Sequence, residues 1–233
     1  MSTTSTKLEE SPSKKKLVTS VFAALLVVLI LALTCTVIQV RRTVELMKAH
    51  NDLKWVIMTL HAYHDKHEHF PLAVEIDEQG QPMHSWRTII EPFLDSSNSR
   101  SMLNSYDFKQ RWDSESNNAS IQQHPLGHIP FQFLAVVGPH AAWNRDGPRK
   151  IADFKDGTAN TIMLIGIRDS GIAWNEPYDA VFDGKDILVN GRPLELNQKI
   201  FAAFADGSVR YGVYRHDMAA LFTIDAGDTV PEW

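Results

Sequence analysis

The feature that most limits what this chain can become is a long run without a single charge. From Leu17 to Val40 the sequence reads LVTSVFAALLVVLILALTCTVIQV, with Lys14, Lys15 and Lys16 before it and Arg41 and Arg42 after it. As a helix, 24 residues reach about 36 Å, enough to cross a hydrocarbon layer with some tilt. A helix apolar on every side would need a larger protein than this one to bury it. Thr19, Ser20, Thr34, Thr36 and Gln39 are the polar members. They are uncharged, and their hydroxyls are expected to bond back to the helix. The competing reading is a cleaved signal peptide, whose apolar core is about 7–15 residues and ends at a small-residue exit site. Here the run is longer, and Thr36-Val37-Ile38-Gln39-Val40-Arg41-Arg42 is a poor exit. A retained anchor contacting membrane lipid is therefore expected. Basic residues balance across the span: Lys7 and Lys14–Lys16 on one side, Arg41, Arg42, Lys48 and Lys54 on the other. The tight Lys14–Lys16 cluster beside a short tail favours a cytoplasmic N-terminus. The expected layout is a disordered cytoplasmic tail at 1–16, a single-pass span at 17–40 and an exported domain at 41–233.

The remaining composition narrows the function classes. Net charge is −5, which argues against a nucleic-acid partner. Cys35 is the one cysteine and lies within the apolar run. No intrachain disulfide, multi-cysteine metal site or exported cysteine nucleophile can therefore form.

Beyond the span, Leu46, Leu53, Val56, Ile57, Leu60 and Tyr63 recur at helical spacing, and no Pro or Gly interrupts Leu17 to Asp65. Span and amphipathic stretch are thus expected to form one helix of about 49 residues, stopped by Phe70-Pro71. Ser85–Leu94 is a second helix candidate, distorted by Pro92. Asp95–Ser99 and Asp113–His128 read as irregular connections. Strands are expected at Phe131–Val137 and Thr161–Ile167. Two hairpins follow the same pattern: Phe201–Ala205 with Ser208–Tyr214 around Asp206-Gly207, and Ile187–Val189 with Arg192–Leu194 around Asn190-Gly191. Pro193 confines its strand to a sheet edge. The fold class is α+β, a long N-terminal helix packed on a mostly antiparallel sheet.

Several sequence blocks sharpen this. Asn51-Asp52-Leu53-Lys54, Leu60-His61-Ala62-Tyr63-His64-Asp65 and His69-Phe70-Pro71 come first. Ser85-Trp86-Arg87, Pro92-Phe93-Leu94 and Trp112-Asp113-Ser114 follow. Then come Phe133–Pro139, Asp156–Ile162, Trp174-Asn175-Glu176-Pro177 and Phe204–Val209. In this order they resemble the planctomycete pilin-like family with domain of unknown function 1559, over roughly Val44 to Asp228. The resemblance implies a type IV pilin or pseudopilin-like fold, one N-terminal membrane helix and an exported domain, and it implies no activity. Members of such families carry a processing Gly followed by Phe and a Glu in the mature helix. Here Lys14-Lys15-Lys16-Leu17-Val18-Thr19-Ser20-Val21 offers neither the Gly nor the Glu. Ordinary cleavage and filament assembly are therefore not expected.

Chemistry-bearing residues concentrate in one place. His61, His64, His67 and His69 lie within nine positions. On a helix, His61, His64 and Asp65 share a face and could ligate zinc or a similar ion. The alternative is that the two rings cap the helix end or pack beneath the sheet, contacting the segment around Phe70. Trp174 with Glu176 and Asp179 could form a carbohydrate site. Asp-Gly pairs at Asp146, Asp156, Asp183 and Asp206 read as turns, because none follows a calcium-loop spacing. No nucleophile elbow, phosphate loop or dinucleotide fingerprint is present. The expectation is a non-enzymatic, membrane-anchored pilin-like envelope protein without a cofactor, acting in structure, secretion or recognition with other envelope or secretion proteins. A metal-dependent enzyme at His61/His64/Asp65 and a sugar-binding module at Trp174 are the alternatives.

Overall fold

The computed structural model describes residues 12–94, 103–121 and 130–227, with side chains from residue 20 onward. Its contacts divide the chain into two compact units, Met1–Leu46 and Met47–Trp233. The expected tail at 1–16 lies outside the described residues as far as residue 11, and its last five residues are helical instead of disordered; Asp95–Ser99 and 122–129 also lie outside the described residues.

Helix α1 runs Pro12–His67, 56 residues, slightly longer at both ends than expected. In its first part the apolar side chains project outward. Val21, Leu25, Leu29 and Ile38 are each more than half exposed. Thr34 and Thr36 donate their hydroxyls to the carbonyls of Ile30 and Ala32, both at 2.8 Å, so these two hydroxyls are satisfied within the helix. From Met47 onward the pattern reverses. Ala49, Leu53, Val56, Ile57 and Leu60 are buried, as the helical spacing of apolar residues requires.

The second unit holds a seven-stranded sheet. Its strands are β3 (Phe131–Val137), β4 (Ile162–Arg168), β5 (Ala180–Phe182), β6 (Ile187–Val189), β7 (Arg192–Pro193), β8 (Lys199–Phe204) and β9 (Val209–Val213), ordered β7-β6-β5-β3-β4-β8-β9. Every neighbouring pair is antiparallel except β3 with β5. The chain is thus α+β, with a long N-terminal helix and a mostly antiparallel sheet. Strands β3, β4 and β8 are buried on both faces, which explains their nearly continuous apolar sequence. On one face Phe201 packs edge-on against Phe131 at 5.0 Å and meets His50 of α1 at 6.5 Å. Gly166 makes room there, since a Cβ would sit 3.0 Å from that of Phe201 and 3.3 Å from the Phe133 ring. The other face, with Leu134, Ile165, Ala202 and Phe204, is covered by the 3-10 turns of His216–Phe222 through Met218, Leu221 and Phe222.

Turn chemistry follows the sequence. Asn190 and Gly191 both have positive φ, +52° and +73°, matching the twist of a two-residue hairpin. Pro193 lies in the edge strand, where a missing N–H costs nothing. Asp183 and Asp206 accept backbone N–H groups two or three residues ahead, closing their turns.

Two expectations need correction, and two further features have no counterpart in the sequence reading. Ser85–Leu94 is a four-residue helix, α2 (Trp86–Ile89), capped by Ser85, followed by a 3-10 turn at Glu91–Phe93 that accommodates Pro92. The irregular stretch at 113–128 contains helix α3 (Glu115–Ile121). Its sequence ESNNASI has too few apolar residues to signal a helix. It is tied down by buried Asn117, whose amide donates to the carbonyls of Asp107, Gln110 and Arg111. Strands β1 (Val74–Ile76) and β2 (Pro82–Ser85) form a separate small sheet. Strand β5, three residues long and paired in parallel to β3, also escapes a reading based on hairpins.

Candidate functional site

Two polar clusters stand out. The first is built around Arg87, and of its members the sequence pointed to Trp174, Glu176 and Asp179 but not to Arg87. Helix α2 carries Arg87 into the interior, where it is 1% exposed. All five of its N–H groups are used. Nε donates to the carbonyl of Phe133 at 2.8 Å. Nη1 donates to Ser85 Oγ at 2.6 Å and to the Glu176 carbonyl at 3.1 Å. Nη2 donates to the Tyr178 carbonyl at 3.1 Å and to Asp179 Oδ1 at 2.6 Å. Asp179 Oδ1 also accepts from Trp86 Nε1 and from the backbone N–H of Ala135 in β3. Burial pushes the Asp179 carboxyl up to about 6, outweighing the Arg87 charge and the three donors. Burial likewise lowers the Arg87 pKa, against the pull of Asp179 and Glu176.

Aromatic rings seal this pair. Trp86 lies 5.2 Å from Trp143 and 6.5 Å from Trp174. Trp174 is 5% exposed, and its Nε1 donates to buried Glu91 Oε1 at 2.7 Å. Glu176 turns its carboxylate back to the N–H of Ala173. The sequence expectation of a carbohydrate platform at Trp174 therefore gives way: the Trp174 ring is buried, and the carboxylates of Glu176 and Asp179 serve the chain itself.

The second cluster is the histidine-rich end of α1. His61 meets Phe70 edge-on at 5.8 Å, and His64 lies 4.8 Å from the same ring. His64 Nε2 accepts the N–H of Ile151 at 3.3 Å. Burial lowers the pKa of His61, partly offset by the nearby Ala205 backbone and the charge of Asp65. Asp65 is exposed and lines, with His64, Glu68 and Lys150, an open hollow of about 570 Å³. Among the described residues no group of three or more His, Cys, Asp or Glu side chains is arranged to hold a metal ion. Both rings make the Phe70 contact expected of packed histidines. A larger hollow of about 710 Å³ lies at Pro139, Phe182, Asp183 and Ala226, with the exposed pair His140–Asp225 at 3.0 Å on its rim.

Arg87 and Asp179 were missed as partners because 92 positions separate them. The signal was present in Ser85-Trp86-Arg87 and Trp174-Asn175-Glu176-Pro177, but a single sequence does not say that two blocks meet. Comparison with known families bears on the first of these blocks. The segment 46–132 matches a family described as a protein of unknown function (DUF1559), the family that the sequence blocks resemble. It contains His61, His64 and Arg87, while Asp179 lies beyond it. No curated protein and no solved structure matches the chain.

Proposed function

We propose that this chain is a membrane-anchored, non-enzymatic, pilin-like envelope protein. In this reading residues 17–40 are a single span, the N-terminal tail is cytoplasmic, and the α+β domain is exported for a role in structure, secretion or recognition. The observation that carries the reading is the first part of α1. The helix containing it has a window of mean hydropathy 3.0, none of that window is buried, and apolar side chains project on all sides. That surface is compatible with lipid and costly in water, at about 25 cal/mol per Å² of apolar area. The non-enzymatic part is supported by how the strongest polar cluster is used. Arg87, Asp179, Trp86 and Trp174 spend their hydrogen bonds on the fold.

The test is carbonate extraction of membranes from expressing cells, with N-terminal sequencing of the pellet and protease treatment of intact spheroplasts. The expected result is a membrane-bound chain that keeps Leu17–Val40 and whose domain is digested from outside. A mature chain beginning between Lys16 and Thr43, released by carbonate, would replace the anchor with a signal peptide.

A further inference from the structure

We infer that His67 and His69 form a surface site for a divalent transition-metal ion that favours imidazole, such as Cu²⁺, Ni²⁺ or Zn²⁺. These are not the histidines that share a helix face in the sequence; the fold brings them together. Helix α1 ends at His67, and Glu68 follows with φ +62°, a left-handed conformation uncommon for a residue with a side chain. The Glu68 N–H closes the helix on the His64 carbonyl at 2.7 Å. This reversal leaves the rings of His67 and His69 6.2 Å apart, inclined by 45°. Tyr63 holds both, stacked on His67 at 4.2 Å and edge-on to His69 at 6.1 Å, while Phe93 backs His67 at 5.8 Å.

The separation suits a shared ion. Two imidazoles bonded to one metal at about 2.0–2.1 Å each have ring centres about 5–6 Å apart, so a small ring rotation suffices. The tautomer suits it too. His69 Nδ1 lies 2.8 Å from the Phe70 carbonyl oxygen, which only accepts. Nδ1 therefore bears the hydrogen, and Nε2 keeps its lone pair. An imidazole that donates one N–H to a backbone carbonyl and binds metal through the other nitrogen is the common arrangement at metal centres. His67 is exposed, so water can fill the remaining coordination positions. His61 and His64 are less available, the one packed on Phe70 and the other accepting the Ile151 N–H. The Lys66 ammonium lies 5.3 Å from the Phe93 ring, a nearby positive charge that opposes binding of a cation.

The test is Cu²⁺ titration of the full chain in detergent micelles, followed by electron paramagnetic resonance. One ion per chain with two nitrogen ligands is expected. His67→Ala and His69→Ala should each weaken binding at least about tenfold and leave one nitrogen, while His64→Ala changes neither. His67→Gln, with a thermal melt beside it, separates lost ligation from lost folding. Binding that survives in both His67→Ala and His69→Ala overturns the site. Binding abolished by His61→Ala or His64→Ala moves the ion to the helix face instead.

Discussion

The two polar clusters of the folded unit differ in how they treat water. At Arg87 all five donors are matched, the ion pair is sealed by tryptophans, and the side chains join α2, β3 and the 174–179 segment. At the end of α1 the histidines are half-buried or exposed, lean on Phe70 and Tyr63, and make few hydrogen bonds. Residue type suggested chemistry at the second cluster, whereas the structure concentrates its polar bonding at the first. A charge becomes a structural fastener when low dielectric makes each unmatched group costly and the surrounding backbone supplies the matches. Imidazoles at a surface escape that demand and stay free for exchangeable partners.

The sharpest way to break this contrast is to remove Arg87. Arg87→Ala leaves Asp179 buried without its cation and orphans the Phe133, Glu176 and Tyr178 carbonyls. Breaking a buried pair from one side costs about 3–5 kcal/mol. Chemical denaturation of the full chain in micelles, followed by tryptophan fluorescence, should show a loss of that size. The double change Arg87→Met/Asp179→Leu should lose clearly less than the two single changes summed, because neither partner is then stranded. A loss under about 1 kcal/mol for Arg87→Ala would mean that water reaches the pair.

The pair should also leave a signature in pH. The Asp179 carboxyl has an ordinary value of 3.8 and is pushed up to about 6 in the fold. Between those values the folded state holds more protons than the unfolded one, so the stability this group contributes is full below about 3.8 and is lost as pH rises through about 6. Asp179→Asn still offers an oxygen to Trp86 and Ala135 but cannot titrate. Denaturation midpoints measured across that window should fall less steeply with rising pH in Asp179→Asn than in the parent. Parallel profiles would show that the carboxyl stays ionised throughout, held by Arg87 more strongly than burial opposes it.

How much of this was legible in the residues depends on the range of the contact that decides it. The α1 stripe of Leu53, Val56, Ile57 and Leu60, the Asn190-Gly191 and Asp206-Gly207 turns, and the edge position of Pro193 all rest on neighbours a few positions apart. They appear where periodicity and turn chemistry put them. Strand β5 and helix α3 were hidden because what stabilises them is distant or polar: a parallel pairing to Val136 and Val137, and the amide of Asn117. The histidines were visible as a cluster from their spacing, yet spacing favoured His61 with His64 and Asp65. The left-handed turn at Glu68, which brings His67 to His69, has no sequence signature when the residue is not Gly or Asn.

The smaller expected effect lies at His61 and carries the opposite sign. Burial lowers its pKa below the ordinary 6.5, so the fold prefers the neutral ring. Stability from this preference is present above 6.5 and is lost as pH falls through the lowered folded value, because protonation then favours the unfolded chain. Acid should therefore weaken the seat of α1 on Phe70 in a range where Asp179 strengthens its own cluster. Two changes separate the contributions. His61→Ala removes the edge contact with Phe70, and a change at a partly buried ring costs about 1–3 kcal/mol at neutral pH. His61→Gln keeps some bulk without titrating, so its stability should decline less than the parent's between pH 6.5 and 5. Because the two contributions oppose each other, each single change should leave the other slope exposed, and the double change His61→Gln/Asp179→Asn should give a flatter profile than either single change, since the sites are served by different partners and their effects should add. If His61→Gln retains the full acid sensitivity, the ring already charges freely in the folded protein, and the end of α1 is wetter than its packing against Phe70 implies.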